Sequence, residues 1–219
     1  RGLLYRASAL TLDAADRVAV DALGVAAVYD LRTPGEVARD ADVLPIGAAY
    51  QTINVTGDRD AMALSFDSTA QAVAAMEQAQ RQYVVGSAER AGFGTLLAQI
   101  ALTPGAQIIH SSAGKDRAGW AAALLLSIAN VPFDIILQDY LLSNVYAAAS
   151  IHAHAAAIAL QSGAAAADAA APALGVQASF LSAAFDQVHT SYGTMTGYLT
   201  AGLNLSQGTI DRLYARLVT

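Results

Sequence analysis

The segment Ile109-His110-Ser111-Ser112-Ala113-Gly114-Lys115-Asp116-Arg117-Ala118-Gly119 combines the residue types that can hold and polarise a phosphoryl group. The apolar run from Gln107 to His110 reads as a strand, and the residues after it as a short loop holding a glycine and two cations. A long apolar helix pattern begins at once. Unpaired N–H groups at a helix start point outward and carry the positive end of the macrodipole, so they suit a phosphate dianion. Arg117 can add a planar two-pronged contact, and Lys115 a point charge beside it. The phosphate-binding candidates are therefore Ser111, Ser112, Ala113, Gly114, Lys115, Asp116 and Arg117, with a phosphate or sulfate ion as the expected loop ligand.

At these residues the chain resembles the cysteine-dependent tyrosine and dual-specificity phosphatases, whose signature is His-Cys, five residues and Arg. Position 111, which should be Cys, is Ser, and the chain contains no cysteine. The Gly114-Lys115-Asp116-Arg117 ending is similar to the bacterial branch of the mycobacterial protein tyrosine phosphatase B type. Further blocks resemble that branch in the same order: Leu4 to Leu10, Asp30-Leu31-Arg32 with Glu36, Asp139 to Asn144, and Tyr192-Gly193 with Gly197-Tyr198-Leu199. The likeness covers nearly the whole chain, and is weakest between about Asp58 and Tyr83 and across the alanine-rich segment.

Phosphoryl transfer by this route needs an in-line nucleophile ionised at neutral pH, and a thiol becomes so when a helix N-terminus and nearby cations lower its pKa. A serine hydroxyl starts far higher, and no histidine-carboxylate relay is apparent beside Ser111. Two readings follow. Either Ser111 is a deliberate Cys-to-Ser change that traps a phosphorylated ligand without turnover, or the chain is a natural pseudophosphatase that binds phospho-ligands. The first is preferred because the other blocks retain the expected catalytic groups. A serine hydrolase is disfavoured, since Ser111 lacks the glycine two positions before it that a nucleophile elbow needs.

The resemblance implies catalytic roles for the residue at 111, for Arg117 and for Asp116, the leading general acid. Asp30, at the end of the strand Val25 to Leu31, is the competing acid, because an open α/β sheet places its ligand crevice at strand ends. Its alternative is structural pairing with Arg32, Glu36 and turn amides, and for Asp30 that alternative is favoured. For Asp116 the alternative is a charge stabilising the helix macrodipole. His110 reads as a loop-shaping residue. His152 and His154 lie two apart, on different sides of a helix and without a carboxylate cluster, so no metal is expected. Ala118 departs from relatives that carry a hydroxyl directly after the arginine, and it cannot donate a hydrogen bond to the nucleophile. No cofactor is implied. The substrates implied are phosphotyrosine, phosphoserine or phosphothreonine in a protein or peptide, or a phosphoinositide.

At 219 residues, 55% hydrophobic and 14% charged, the chain fits one globular domain, residues 1–219. A formal net charge of -6 argues against nonspecific nucleic-acid binding, which needs a basic footprint. Polar residues and prolines interrupt the longest apolar stretches, so no membrane span is expected. No signal peptide is visible and the chain opens on Arg1. Localisation stays open between the bacterial cytoplasm and secretion.

The elements that must position the loop follow from periodicity. Strands are expected at Leu3 to Arg6, Val25 to Leu31, Tyr50 to Val55 and Gln107 to His110. Helices are expected at Thr11 to Leu23, capped by Thr11 and closed by Gly24, at Thr69 to Val84 and at Glu89 to Leu102. Further helices follow at Lys115 to Asn130, Asp134 to Tyr146, an alanine-rich pair from Ala147, Val176 to Tyr192, Thr194 to Gly202 and Ser206 to Leu217. This is an α/β fold with a central, mainly parallel sheet and helices on both faces, helical in its C-terminal half. The helix from Thr69, with Met62 and Phe66 ahead of it, and the alanine-rich pair are two candidate lids over the loop.

Overall fold

A computed structural model describes residues 3–57 and 65–218. Strands β1 (Leu4–Ala7), β2 (Val25–Asp30), β3 (Ala49–Thr52) and β4 (Ala106–His110) form one sheet in the order β1-β4-β2-β3, every pair parallel. The central strands β2 and β4 are apolar on both faces because both faces are covered, as parallel pairing requires. Their carboxyl ends, Asp30 and His110, lie side by side in the ladder.

The two faces are unequal. One carries a small cluster of Leu10, Val25, Val28 and Ile108, covered by α1 (Ala14–Asp21) through Val20 and by Leu44 and Ala48 of the chain after it. The other carries the main core, where Tyr29, Leu31 and Ile109 meet the remaining helices. These are α3 (Thr69–Val85), α4 (Ser87–Leu102), α5 (Arg117–Ile128), α6 (Phe133–Leu141), α9 (Ala164–Leu174), α10 (Ala178–Tyr192), α11 (Met195–Gly197) and α12 (Gln207–Val218), while the short α7 (Ser143–Tyr146) and α8 (Ala148–Ser162) lie outside this core. Met62 falls outside the described residues.

Several boundaries differ from the sequence reading for local reasons. Helix α1 starts after Asp13, not Thr11, because the Asp13 carboxylate accepts from the N–H of both Ala15 and Asp16 at 2.8 Å. An unexpected helix, α2 (Pro34–Arg39), follows β2. Thr33 and Glu36 close a reciprocal capping box around it and Pro34 opens it. Strand β3 ends at Thr52, and Ile53 N–H then donates to Asp30 O at 2.7 Å. The expected Asp134 to Tyr146 helix breaks at Leu142 into α6 and α7. The expected Thr194 to Gly202 helix widens after α11 into a π-helical turn over Tyr198–Gly202. The alanine-rich pair is divided by Gly163 at φ +89°, a backbone region that side-chain-bearing residues avoid. Among the described residues, no helix is long and apolar enough to cross a membrane.

Candidate functional site

The loop 111–116 joins the end of β4 to the start of α5, and it floors a cleft of about 1310 Å³. All seven sequence candidates, Ser111 to Arg117, line that cleft. So does Glu36 of α2, while Met76 and Tyr83 of α3, Tyr146 of α7, Ile151 and His154 of α8 and Leu174 of α9 supply the walls. Both candidate lid regions therefore form walls of the same cleft.

Arg117 opens α5 and points at Glu36, to which its two terminal nitrogens each donate at 2.7 Å. Arg117 also donates to Leu31 O at 3.3 Å and to Ser112 Oγ at 3.4 Å. Glu36 is almost wholly buried, accepting in addition from Ser112 Oγ at 2.5 Å and from Thr33 N–H at 2.9 Å. Burial raises the pKa of its carboxyl. The hydrogen bonds from Arg117 and Ser112, the Arg117 charge and the Thr33 amide outweigh this and hold it at about 2. Burial likewise works against the Arg117 cation, but its bonds to Glu36 win and its pKa is raised.

Asp116 lines the cleft as the N-cap of α5, and its side chain makes no cap hydrogen bond. One carboxylate oxygen accepts from Lys115 Nζ at 2.8 Å, and Oδ1 is buried without a partner among the described residues. Charge pairing extends around the cleft. Arg6 lies 3.6 Å from Asp139 and Arg39 3.1 Å from Asp40, so each of these cations has a carboxylate beside it.

Asp30 is placed elsewhere. It is fully buried, is not part of the cleft lining, and takes a two-pronged contact from Arg32 at 2.8 and 2.7 Å plus the Tyr50 hydroxyl at 2.7 Å. Burial raises its pKa, but the bonds from Arg32 and Tyr50 and the nearby His110 leave it lowered. Arg32 also donates to Asp42 at 2.6 Å, and Asp42 accepts from Leu10 N–H at 2.8 Å. His110, fully buried, lies 3.3 Å from Asp42 through Nε2; burial lowers its pKa against the pull of both aspartates.

Asp30, Asp42 and His110 are close enough to share a cation, and among the described residues they are the one group of three that is. The Arg32 guanidinium already bonds both carboxylates, which is the pattern of a compensated ion cluster. His154 is turned back on Ser150 O at 2.8 Å, and His152 lines a separate small cavity.

Sequence reasoning did not assign roles to Asp42, Tyr50 or Ser143. Asp42 and Tyr50 stand alone in irregular or edge segments without periodicity to mark them. Glu36 was visible as part of a block, and the Thr33-Pro34-Gly35-Glu36 capping signature could have placed it on a helix beside the loop.

A model of the tyrosine phosphatase family matches residues 1–219. The chain belongs to the tyrosine phosphatase family. It is 38% identical over 140 residues to a tyrosine-protein phosphatase of Nostoc commune, covering 60% of this chain and 45% of that protein, so it spans less than half of that relative. To a predicted tyrosine-protein phosphatase of Cupriavidus necator it is 32% identical over 215 residues, covering 94% of this chain and 76% of the relative. To the triple specificity protein phosphatase PtpB of Mycobacterium tuberculosis it is 28% identical over 255 aligned residues, covering 97% and 89%.

Proposed function

We propose that residues 1–219 form one phosphatase domain that hydrolyses phosphate monoesters through a cysteinyl-phosphate intermediate, with Ser111 standing in place of the nucleophilic cysteine and leaving a phosphate-trapping form. The substrate class is phosphotyrosine, phosphoserine or phosphothreonine, or a phosphoinositide. The observation that carries the reading is the loop itself. Ser111 to Arg117 floor the cleft between a strand end and a helix start, and Arg117 is held in its plane by a buried carboxylate.

The anion enters among the loop N–H groups at the positive end of α5. Both terminal nitrogens of Arg117 are engaged with Glu36, so Nε is the free donor among the described contacts. A two-pronged contact to phosphate forms when the nitrogen bonded to Ser112 Oγ exchanges that long bond, 3.4 Å, for a phosphoryl oxygen. With a cysteine at position 111, the thiolate attacks phosphorus, the S–P bond forms as the ester P–O bond breaks, and Asp116 gives its proton to the leaving oxygen. Asp116 then takes a proton from the water that cleaves the S–P bond and releases phosphate. Arg117, Lys115 and loop amides stabilise the equatorial oxygens.

Replacing Ser111→Cys tests this directly. Hydrolysis of 4-nitrophenyl phosphate is expected to rise by about three orders of magnitude or more, since a nucleophile is the part in question. A folded, phosphate-binding Ser111→Cys variant that stays inactive would make the chain a phospho-ligand binding pseudophosphatase instead.

A further inference from the structure

The block Leu4 to Leu10 and the block Asp139 to Asn144 have no part in the chemistry above, yet one side chain joins them to the phosphate loop. Arg6, on β1, donates through Nη1 to Gly114 O at 3.2 Å and to Ser143 Oγ at 2.7 Å, and through Nη2 to Asp139 O at 3.1 Å. Ser143 Oγ in turn donates to Tyr140 O at 2.6 Å, which ties the guanidinium to the junction of α6 and α7. Arg6 thus stands at a fixed point between the sheet, the loop and the helical layer.

Its bond to Gly114 O falls at the tightest place in the loop. Gly114 has φ +71°, and a Cβ there would lie 2.4 Å from Ala7 O, so the loop backbone rests directly on the end of β1. Two loop carbonyls are held from this side: Ser112 O by Ala9 N–H at 3.1 Å, and Gly114 O by Arg6. In a planar trans peptide the N–H points opposite to the C=O of the same unit. Fixing the carbonyls of Ser112 and Gly114 therefore turns the N–H groups of Ala113 and Lys115 the other way, away from the Ala9 and Arg6 donors. Unlike Ala9, whose own backbone makes the first contact, Arg6 makes the second with a charged side chain, and a charge-assisted bond resists rotation of that peptide.

We propose that Arg6 is a positioning residue for anion binding, fixing the Gly114–Lys115 peptide so that the Lys115 N–H faces the phosphoryl group. This rests on the loop being the phosphate site. Orthophosphate is titrated calorimetrically into the unmodified chain and into Arg6→Ala, Arg6→Lys and Ser143→Ala, with thermal melting of each in the absence of phosphate.

Arg6→Ala is expected to bind phosphate about tenfold more weakly, the effect of one hydrogen bond involving a charged group. Millimolar guanidinium chloride restores affinity where equal sodium chloride does not. Ser143→Ala lowers the melting temperature but keeps affinity within about twofold, because the bond to Gly114 O survives. Arg6→Lys, which cannot serve three acceptors at once, supplies the same comparison if Arg6→Ala does not fold. Unchanged affinity in a folded Arg6 variant would overturn the proposal, as would an equal loss of affinity in Ser143→Ala. Failure of the unmodified chain to bind phosphate at all would instead remove the phosphate site, and this role with it.

Discussion

Asp116 and Asp30 carry the same functional group in two different surroundings, and the difference decides what each can do. Asp30 is locked between Arg32 and Tyr50 with no face on the cleft, so its carboxylate stays ionised and cannot reach a leaving oxygen. Asp116 lines the cleft, with one oxygen on Lys115 and the other without a partner among the described residues. In the Ser111→Cys background, Asp116→Asn is expected to slow alkyl phosphates far more than 4-nitrophenyl phosphate, whose leaving group needs no proton. Asp30→Asn is expected to slow both alike and to lower the melting temperature, because it leaves Arg32 short of a buried partner, a loss of about 3–5 kcal/mol. A leaving-group dependence that follows Asp30 instead would reverse the assignment; steady-state rates on the two esters make the comparison.

Helix α2 shows how a short element can set the geometry of a site built on other elements. Glu36 closes the capping box that starts this helix, and the same carboxylate holds Arg117 and Ser112 of the loop. Its folded pKa of about 2 lies below the ordinary 4.5, so folding favours the ionised form. The stabilisation is complete above about pH 4.5 and is lost as pH falls towards 2, with an upper value of about 3 kcal/mol. Glu36→Gln is expected to be less stable at neutral pH and to lack that part of the acid-induced loss; urea melts between pH 2 and 6 read both effects. An unchanged slope in the variant would mean that other carboxylates carry the acid sensitivity.

Periodicity in the sequence passes over this element, although its signature is written in Thr33-Pro34-Gly35-Glu36. Six residues are too few to show a helical period, so only the caps mark it. The long helices and the four strands were legible because their apolar patterns span several turns or alternate with turn residues. The loop was legible because its chemistry is contiguous. The pairing of Asp30 with Arg32 was legible too, because the two are near neighbours in the chain, but its extension to Asp42, Tyr50 and His110 was not: it draws on separate stretches brought together by the parallel sheet, and no local pattern relates Asp42 to His110.

At the scale of the whole molecule, the cleft lies where two kinds of support meet. Its floor belongs to β4 and α5, whose residues are mostly buried, with Trp120 packed against Phe185 and Tyr198 in the main core. One wall belongs to α8, which has no buried residue and leaves Leu160 90% exposed. This helix is held chiefly by its packing on α9. The base of the α8–α9 pair is fastened by Asn144, whose side chain bonds the Val176 N–H at 2.8 Å and the Val176 carbonyl at 2.9 Å. With so little apolar area removed from water, α8 must open at a free energy well below that of the sheet. Native-state hydrogen exchange is expected to show α8 amides exchanging through local opening, while Ile108, Ile109 and the amides in the middle of α5 exchange only with global unfolding. Asn144→Ala removes the fastening without touching the loop, so it should speed exchange in α8 and α9 and leave protection in β4 and α5 at the level of the global stability. Equal protection across α5 and α8 would show instead that the wall and the floor unfold as a single cooperative unit.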